Sequence, residues 1–253
     1  MPKLSVVIPA RNEEETLPMV LRDLNQMIPK LTGYEIEAIV VDDHSTDRTA
    51  ELARSLGARV VPNPLGSGKG MALRAGFEAS SGEMIAMLDA DYSHRVEELP
   101  LFLAALANQE VGLVIGSRVV GGSEEYHHVR ALGNVFLSAS LGLATGRYLS
   151  DALNGFKVFR REVFTGFRYT SANFEIEVEI VANALRKGYR IVEVSSHERA
   201  RAGGQMKSRV IRHGTRFLLR IIWEGIRGVP RGGAAALPGQ GSGSIDSSRP
   251  TTM

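Results

Sequence analysis

The sequence predicts an α/β domain built on a mostly parallel sheet with helices on both faces. Three observations carry that prediction. Short apolar runs of strand length alternate with segments of helical periodicity, the connections between them are brief, and the most polar clusters (PARNEE, VDD and DAD) each stand just past an apolar run. Alternation of this kind implies a parallel sheet covered on both sides. Ligands of such sheets collect beyond the carboxyl ends of the strands, so the three clusters are expected to line one crevice. With 253 residues, 43% of them hydrophobic, the chain suffices for one sizeable core.

The elements follow in order. LSVVI (4–8) reads as a buried strand. Asn12 followed by three glutamates reads as a helix start, with Glu15 at the capping-box position and Leu17, Val20, Leu21, Leu24 and Met27 as the apolar stripe. IEAIVV (36–41) is a second strand ending in Asp42 and Asp43, and Ser45 is placed to cap the helix carrying Leu52, Ala53 and Leu56. ARVV (58–61) is a third strand. The loop NPLGSGKG then leads to a helix over 71–80 and a strand over 83–88. Further strands are expected over 111–116, 155–159 and 190–194, and helices over 129–144 and 174–187.

A basic amphipathic helix over 207–228 follows a folded body of residues 1–206, and residues 229–253 have the Gly, Ser and Pro content of a flexible tail. Residues 199–231 carry nine Arg or Lys against one acid, Glu224, while the preceding 198 residues carry more acid than base. Arg209, Arg212, Arg216, Arg220 and Arg227 recur at helical steps beside Phe217, Ile221, Ile222 and Ile226, the pattern of an interfacial helix on an anionic membrane. The bland reading is a helix packed on the core with a solvated basic face. Aromatic interleaving is limited to Phe217 and Trp223, so a nucleic-acid partner is not expected.

Several classes are excluded. The chain has no cysteine, which removes disulfides and thiolate metal sites. Its opening apolar run is too short for a signal peptide, and the longest uncharged apolar stretch, residues 131–146, falls short of a membrane span and contains Asn134, Ser138, Ser140 and Thr145. That stretch reads as a buried helix, and the protein is expected at the cytoplasmic face of a membrane. NPLGSGKGM fits neither a P-loop nor a dinucleotide fingerprint, because Asn63, Gly70 and Met71 occupy defining positions. Gly68 and Gly70 instead permit close backbone approach at a helix start. The six histidines show no metal-ligand spacing.

The most informative stretch is AMLDADYSH. A strand extended through residue 91 would set Asp89 and Asp91 on one face with Ala90 opposite. Two neighbouring anions call for a cation, and carboxylate oxygens suit Mg²⁺ or Mn²⁺, which typically takes a phosphorylated substrate as a further ligand; taken in isolation, the pair reads equally as a solvated turn acid plus a helix cap.

Taken together, VVIPARNEE, VVDDHSTDRT, GKGMALRAGF, DADYSH, GSR, DALNGFKVFRREVF and RAGGQMK resemble, in order, the motifs of family 2 glycosyltransferases, and more closely the dolichyl-phosphate or polyprenyl-phosphate mannosyltransferase and glucosyltransferase branch. The resemblance covers about residues 3–225. It implies the Rossmann-like nucleotide-sugar-binding fold of the GT-A type, a nucleoside-diphosphate sugar as donor and an isoprenoid lipid phosphate as acceptor. It implies that Pro9, Arg11, Glu13, Asp42 or Asp43, and the backbone at Ala90 line the nucleotide pocket, and that Asp89 and Asp91 hold Mg²⁺ or Mn²⁺ against the donor diphosphate. Arg201 and Lys207 would meet that diphosphate, and Arg118 and Arg130 the acceptor phosphate. Asp151 is either a sugar or acceptor contact or a structural cap.

His44 stands where the family has glycine in VDDGS, and Arg11 where many members have tyrosine in PAYNEE, so the base of the donor is open. DADYSH tilts the donor towards GDP-mannose, with UDP-glucose and a soluble acceptor as alternatives. A nucleotide-sugar-binding protein without turnover is the alternative of another class.

Overall fold

A computed structural model describes residues 1–124, 128–200, 202 and 210–229, with only the backbone for 128–130 and 210–212. The strands are β1 (Lys3–Ala10), β2 (Glu35–Asp42), β3 (Arg59–Pro62), β4 (Met84–Met87), β5 (Val111–Ser117), β6 (Lys157–Arg160) and β7 (Arg190–Ser195). They form one sheet in the order β3-β2-β1-β4-β6-β5-β7. Only β6 runs against its neighbours. The helices are α1 (Leu17–Met27), α2 (Thr49–Ser55), α3 (Lys69–Ala79), α4 (Leu99–Leu106), α5 (Arg118–Gly121), α6 (His128–Thr145), α7 (Arg161–Phe164), α8 (Ile176–Arg186) and α9 (Val210–Ile226).

The central strands are apolar on both faces because both faces are covered. Leu4, Val6 and Ile8 of β1 join the core beneath α1 and α4, whereas Val7 joins the opposite core beneath α3 and α8. Complete burial of such side chains stabilises by about 1.5–3 kcal/mol each. Helix α3 approaches the sheet most closely at Gly76, where a Cβ would stand 2.3 Å from Val7 Cγ1 and 2.8 Å from Val41 Cγ2.

Four local expectations are corrected. Helix α1 begins at Leu17, not Asn12, because Asn12 adopts φ 52° and its side chain accepts from Thr46 N at 2.8 Å. Ser45 does not cap α2: its hydroxyl accepts from Asn12 N at 3.1 Å, and Asp47 takes Thr49 N instead, at 3.0 Å. No expected element covered α4, whose Leu99, Phe102, Leu103 and Leu106 are buried. The fourth concerns α6, which is not a buried helix. It buries Leu137 and Leu141, but Leu132, Val135, Phe136 and Leu143 are exposed. Helix α9 packs against α6, with Gly225 opposite Ala144. Residues 207–209 and 230–253 of the expected basic helix and tail lie outside the described residues. Among the described residues no helix is long and apolar enough to cross a membrane.

The contact at Gly76 yields a test. Gly76→Ala should cost about 1–3 kcal/mol in urea unfolding by overpacking the α3–sheet contact. Gly214→Ala, where among the described residues nothing beyond the helix's own adjacent backbone lies within 4 Å of the added carbon, should be neutral or stabilising by up to about 1 kcal/mol.

Candidate active site

Strands β2, β1 and β4 are adjacent and parallel, so the chain leaves them at one edge of the sheet. Among the described residues, the three non-glycine residues with left-handed backbone, Asn12 (φ 52°), His44 (φ 59°) and Tyr92 (φ 65°), stand just past these strand ends. Such conformations are costly and collect at functional sites. His44 thus adopts the conformation that a glycine takes most easily.

Strand β4 ends at Met87, and residues 90–91 form a turn. The extended geometry expected through residue 91 is therefore replaced by a turn, and Asp89 and Asp91 are placed by their partners instead. Asp89 Oδ1 lies 2.7 Å from Lys69 Nζ. Lys69 lies 3.2 Å from Glu177, which in turn pairs with Lys157 at 2.5 Å. Asp91 accepts from Ser93 N at 3.1 Å and from Ser93 Oγ at 2.6 Å. Ala90, between them, is buried.

This cluster is tightly enclosed. Asp89 N donates to His94 Nδ1 at 3.1 Å, which assigns the imidazole hydrogen to Nε2, and the ring stacks on Phe156. A Cβ at Gly155 would meet Asp89 Oδ2 at 2.8 Å and Lys69 Nζ at 3.1 Å, so only a residue without one leaves room for the ion pair. Burial alone would lower the Lys69 ammonium, but Asp89 and Glu177 outweigh it and raise the pKa. Burial pushes the Lys157 ammonium down in spite of Glu177.

Among the described residues no group of three or more His, Cys, Asp or Glu side chains is arranged to hold a metal ion. Two carboxylates on one turn fit a different kind of site. A hard divalent cation bound by one or two carboxylates completes its shell with water and substrate phosphate.

The nucleotide side of the crevice follows β1 and β2. Pro9 and Glu13 are half-buried and Arg11 is exposed, its guanidinium donating to Ser67 Oγ. The two candidate aspartates differ in what they hold. Asp43 is buried and accepts from Asn63 Nδ2 at 2.7 Å and from Gly68 N at 3.0 Å, fastening the NPLGSGKG loop. Asp42 is half-buried and accepts from Ser45 N. Gly68 and Gly70 make the close approach expected of them, with the backbone of residues 171–173 as partner: a Cβ would lie 2.4 Å from Ala172 O at Gly68 and 2.6 Å from Ser171 O at Gly70.

On the other side, Arg118 follows β5. Its Nε lies 2.7 Å from Asp151 and its Nη1 3.1 Å from Glu198. Asp151 is fully buried and also accepts from Arg118 N and Asn134 Nδ2, so in this structure it anchors Arg118. Of the five guanidinium hydrogens, three are engaged with Asp151 and Glu198, which leaves two for a phosphate among the described residues. Arg130 is described in backbone only, and Arg201 and Lys207 lie outside the described residues.

Sequence reasoning missed Lys69, Glu177 and Lys157. In the GKG segment only the glycines carry a sequence signal, and Lys69's partner Glu177 belongs to a distant helix.

Asp151 gives the site a pH signature. Burial alone would raise its carboxyl, but Arg118 and Asn134 outweigh it and lower the pKa below the ordinary carboxylate range. The resulting stability is fully present above the unfolded pKa of about 3.9 and is lost as pH falls through the lower folded value. Urea unfolding between about pH 5 and 2 should show a stability loss on acidification that is shallower in Asp151→Asn. Equal slopes would remove Asp151 from the acid-sensitive groups.

Comparison with known proteins bears on what this edge of the sheet serves. The model of the family described as glycosyl transferase family 2 matches residues 5–167. Dolichol-phosphate mannosyltransferase of Pyrococcus furiosus is 32% identical over 235 residues, covering 88% of this chain and 65% of that protein. The chain therefore spans slightly less than two thirds of that relative's length. Dolichyl-phosphate hexose transferase of Haloferax volcanii is 32% identical over 200 residues, covering 79% of this chain and 84% of that protein. Glucosyl-3-phosphoglycerate synthase of Mycobacterium tuberculosis, solved with Mn²⁺, UDP and glucosyl-3-phosphoglycerate, shares the fold with a TM-score of 0.68 at 24% identity, over 90% of this chain and 81% of that one. Because the family model spans most of the sheet and both curated relatives match the greater part of the sequence, the chain belongs to glycosyl transferase family 2.

Proposed function

We propose that this chain transfers a hexose, mannose from GDP-mannose, to a polyprenyl or dolichyl phosphate with inversion and with help from Mg²⁺ or Mn²⁺. The observation that carries the proposal is the carboxylate pair on the turn after β4, at the edge where the loops after β1 and β2 also end. The names of the Pyrococcus and Haloferax relatives support the lipid-phosphate acceptor.

Asp89 and Asp91 would hold the cation, which supplies positive charge to the departing nucleoside diphosphate. Pro9, Arg11, Glu13, Asp42 and the backbone at Ala90 would line the nucleotide pocket, while Asp43 would act on it through the NPLGSGKG loop that it fastens. Arg201 and Lys207 would contact the donor diphosphate. Arg118 and Arg130 would orient the acceptor phosphate, Arg118 with the two hydrogens that Asp151 and Glu198 leave open.

The acceptor needs little activation. A phosphate monoester has a second pKa of about 6, so its oxygen is already anionic at neutral pH and attacks the anomeric carbon without a strong general base. Positioning is then the main demand on the protein. Asp151 is accordingly assigned to holding Arg118 and not to proton transfer. A lipid acceptor sets the reaction at a membrane surface, which the protein would reach from the cytoplasmic side.

Radiolabelled GDP-mannose and UDP-glucose, each incubated with polyprenyl phosphate and Mg²⁺ or Mn²⁺ and then extracted into organic solvent, test the proposal. Label should enter the organic phase from GDP-mannose and fall at least about a hundredfold in Asp91→Ala. Label from UDP-glucose alone would change the donor. Absence of organic-phase label with both donors would defeat the lipid-phosphate reading.

A further inference from the structure

Helices α6 and α9 direct apolar stripes away from the core. On α9, Leu219, Ile222, Trp223 and Ile226 are exposed at steps of three, one and three residues, one side of a helix. On α6, Leu132, Val135, Phe136 and Leu143 form a second stripe, with Leu143 at 82% and Leu132 at 71% exposure. The two helices pack side by side through Gly225 and Ala144. An ordinary surface helix does the reverse and buries its apolar stripe. The stripes expose eight large apolar side chains on two helices packed on each other, the kind of surface that marks a membrane or partner site.

The charge around the stripes is one-sided. Helix α6 contains no acid, and the only acid of α9, Glu224, is fully buried. Beside the α9 stripe lies a groove of about 730 Å³ whose lining includes Arg168, Arg216, Arg220 and Arg227 together with Leu219 and Trp223. Among the described residues Glu175 is the one carboxylate of that lining. Arg220 is held in the wall by Glu179 and Glu224. Arg168 and Arg227 are exposed and Arg216 is half-buried, so these three present positive charge to the groove, Arg227 with one edge 3.9 Å from the buried Glu224. Leu219 and Trp223 belong to both groove and stripe, which sets the cations at the border of the apolar surface.

We propose that this groove, whose wall includes the residues 171–173 on which Gly68 and Gly70 pack, is a headgroup site for an anionic membrane phospholipid, and that the stripes of α6 and α9 enter the acyl region around it. The border arrangement matches the layering of a bilayer leaflet: arginines at phosphate depth, a tryptophan at the interface and aliphatic side chains below. A second copy of this chain fits less well. A two-fold contact through the stripes pairs the same patch on both partners, bringing the arginines of one groove towards those of the other. The inference deepens the membrane reading above and rests on it, but its test reads binding and not transfer.

The test is co-sedimentation of the whole chain with phosphatidylcholine vesicles, with and without phosphatidylglycerol. Retention should require phosphatidylglycerol and weaken with salt. At roughly 1 kcal/mol per cation near an anionic leaflet, Arg216→Gln with Arg227→Gln should lower vesicle affinity about thirtyfold. The Arg→Lys pair, which keeps the charge, should bind within a fewfold of the parent and shows that the region still folds. Trp223→Ser should weaken retention without changing its salt dependence.

Equal retention on neutral vesicles, or retention unchanged in the Arg→Gln pair, would overturn the proposal. Self-association that Trp223→Ser abolishes, in a chain that vesicles do not retain, would assign the stripes to a second copy. Inorganic phosphate binding that depends on the same arginines, without vesicle retention, would make the groove a site for a free anion and overturn the lipid assignment. Vesicle retention in a chain that transfers no sugar would leave the groove standing and defeat the reaction. Transfer to detergent-dispersed acceptor without vesicle retention would do the opposite.

Discussion

A chain of alternating charge, Lys157, Glu177, Lys69 and Asp89, runs from a fully buried end at Lys157 to a partly exposed one at Asp89 and joins the sheet to the turn that carries the carboxylate pair. Lys157 starts β6, Glu177 lies in α8, Lys69 starts α3 and Asp89 follows β4, so four separate elements meet through three ion pairs. Lys157 and Glu177 have 0% and 1% of their side-chain surface exposed. Charges so deep are tolerated only when each is compensated, and removal of one partner from a buried pair typically costs about 3–5 kcal/mol. Glu177 stands at the centre: without it two ammonium groups would face each other with only Asp89 to balance them. The same chain holds Asp89 in place just ahead of the turn.

The loops around this chain are secured by equally local means. Asp43 ties the NPLGSGKG loop to the end of β2, and that loop carries Lys69 into its pair with Asp89. Gly68 and Gly70 let the start of α3 sit directly on the backbone of residues 171–173, just ahead of the helix that holds Glu177. Asp151 does for Arg118 what Glu177 does for Lys69. In both places a buried carboxylate sets a cation at the crevice, so the electrostatics of the site are fixed by groups behind it.

The legible parts of the fold were those in which burial writes directly into residue type. Strands covered on both faces appear as runs dominated by apolar residues, and LSVVI, IEAIVV and VGLVIG reveal themselves for that reason, with Ser5 and Glu37 as single polar interruptions. The start of α1 was not legible, because Asn12 is equally suited to cap a helix or to enter a left-handed turn, and its bond to Thr46 decides between them. The exposure of α6 was hidden because apolar residues on both sides of a helix read as burial. Asp89 and Asp91 could be singled out from their spacing, although a turn and not a strand presents them. Lys69 and Glu177 were invisible to spacing, since they meet only through the packing of α3 on α8.

The central claim is that the chain of ion pairs presets Asp89 for a cation and a diphosphate. Its most direct test is Mn²⁺ binding in the presence of GDP, followed by electron paramagnetic resonance, in the parent chain and in Glu177→Gln. Groups that orient metal ligands from behind typically change metal affinity by about 10–100-fold. Glu177→Gln should lose at least about tenfold in Mn²⁺ affinity, with circular dichroism unchanged. Unaltered Mn²⁺ affinity in a folded Glu177→Gln variant would contradict that claim and reduce the chain of ion pairs to a purely structural link.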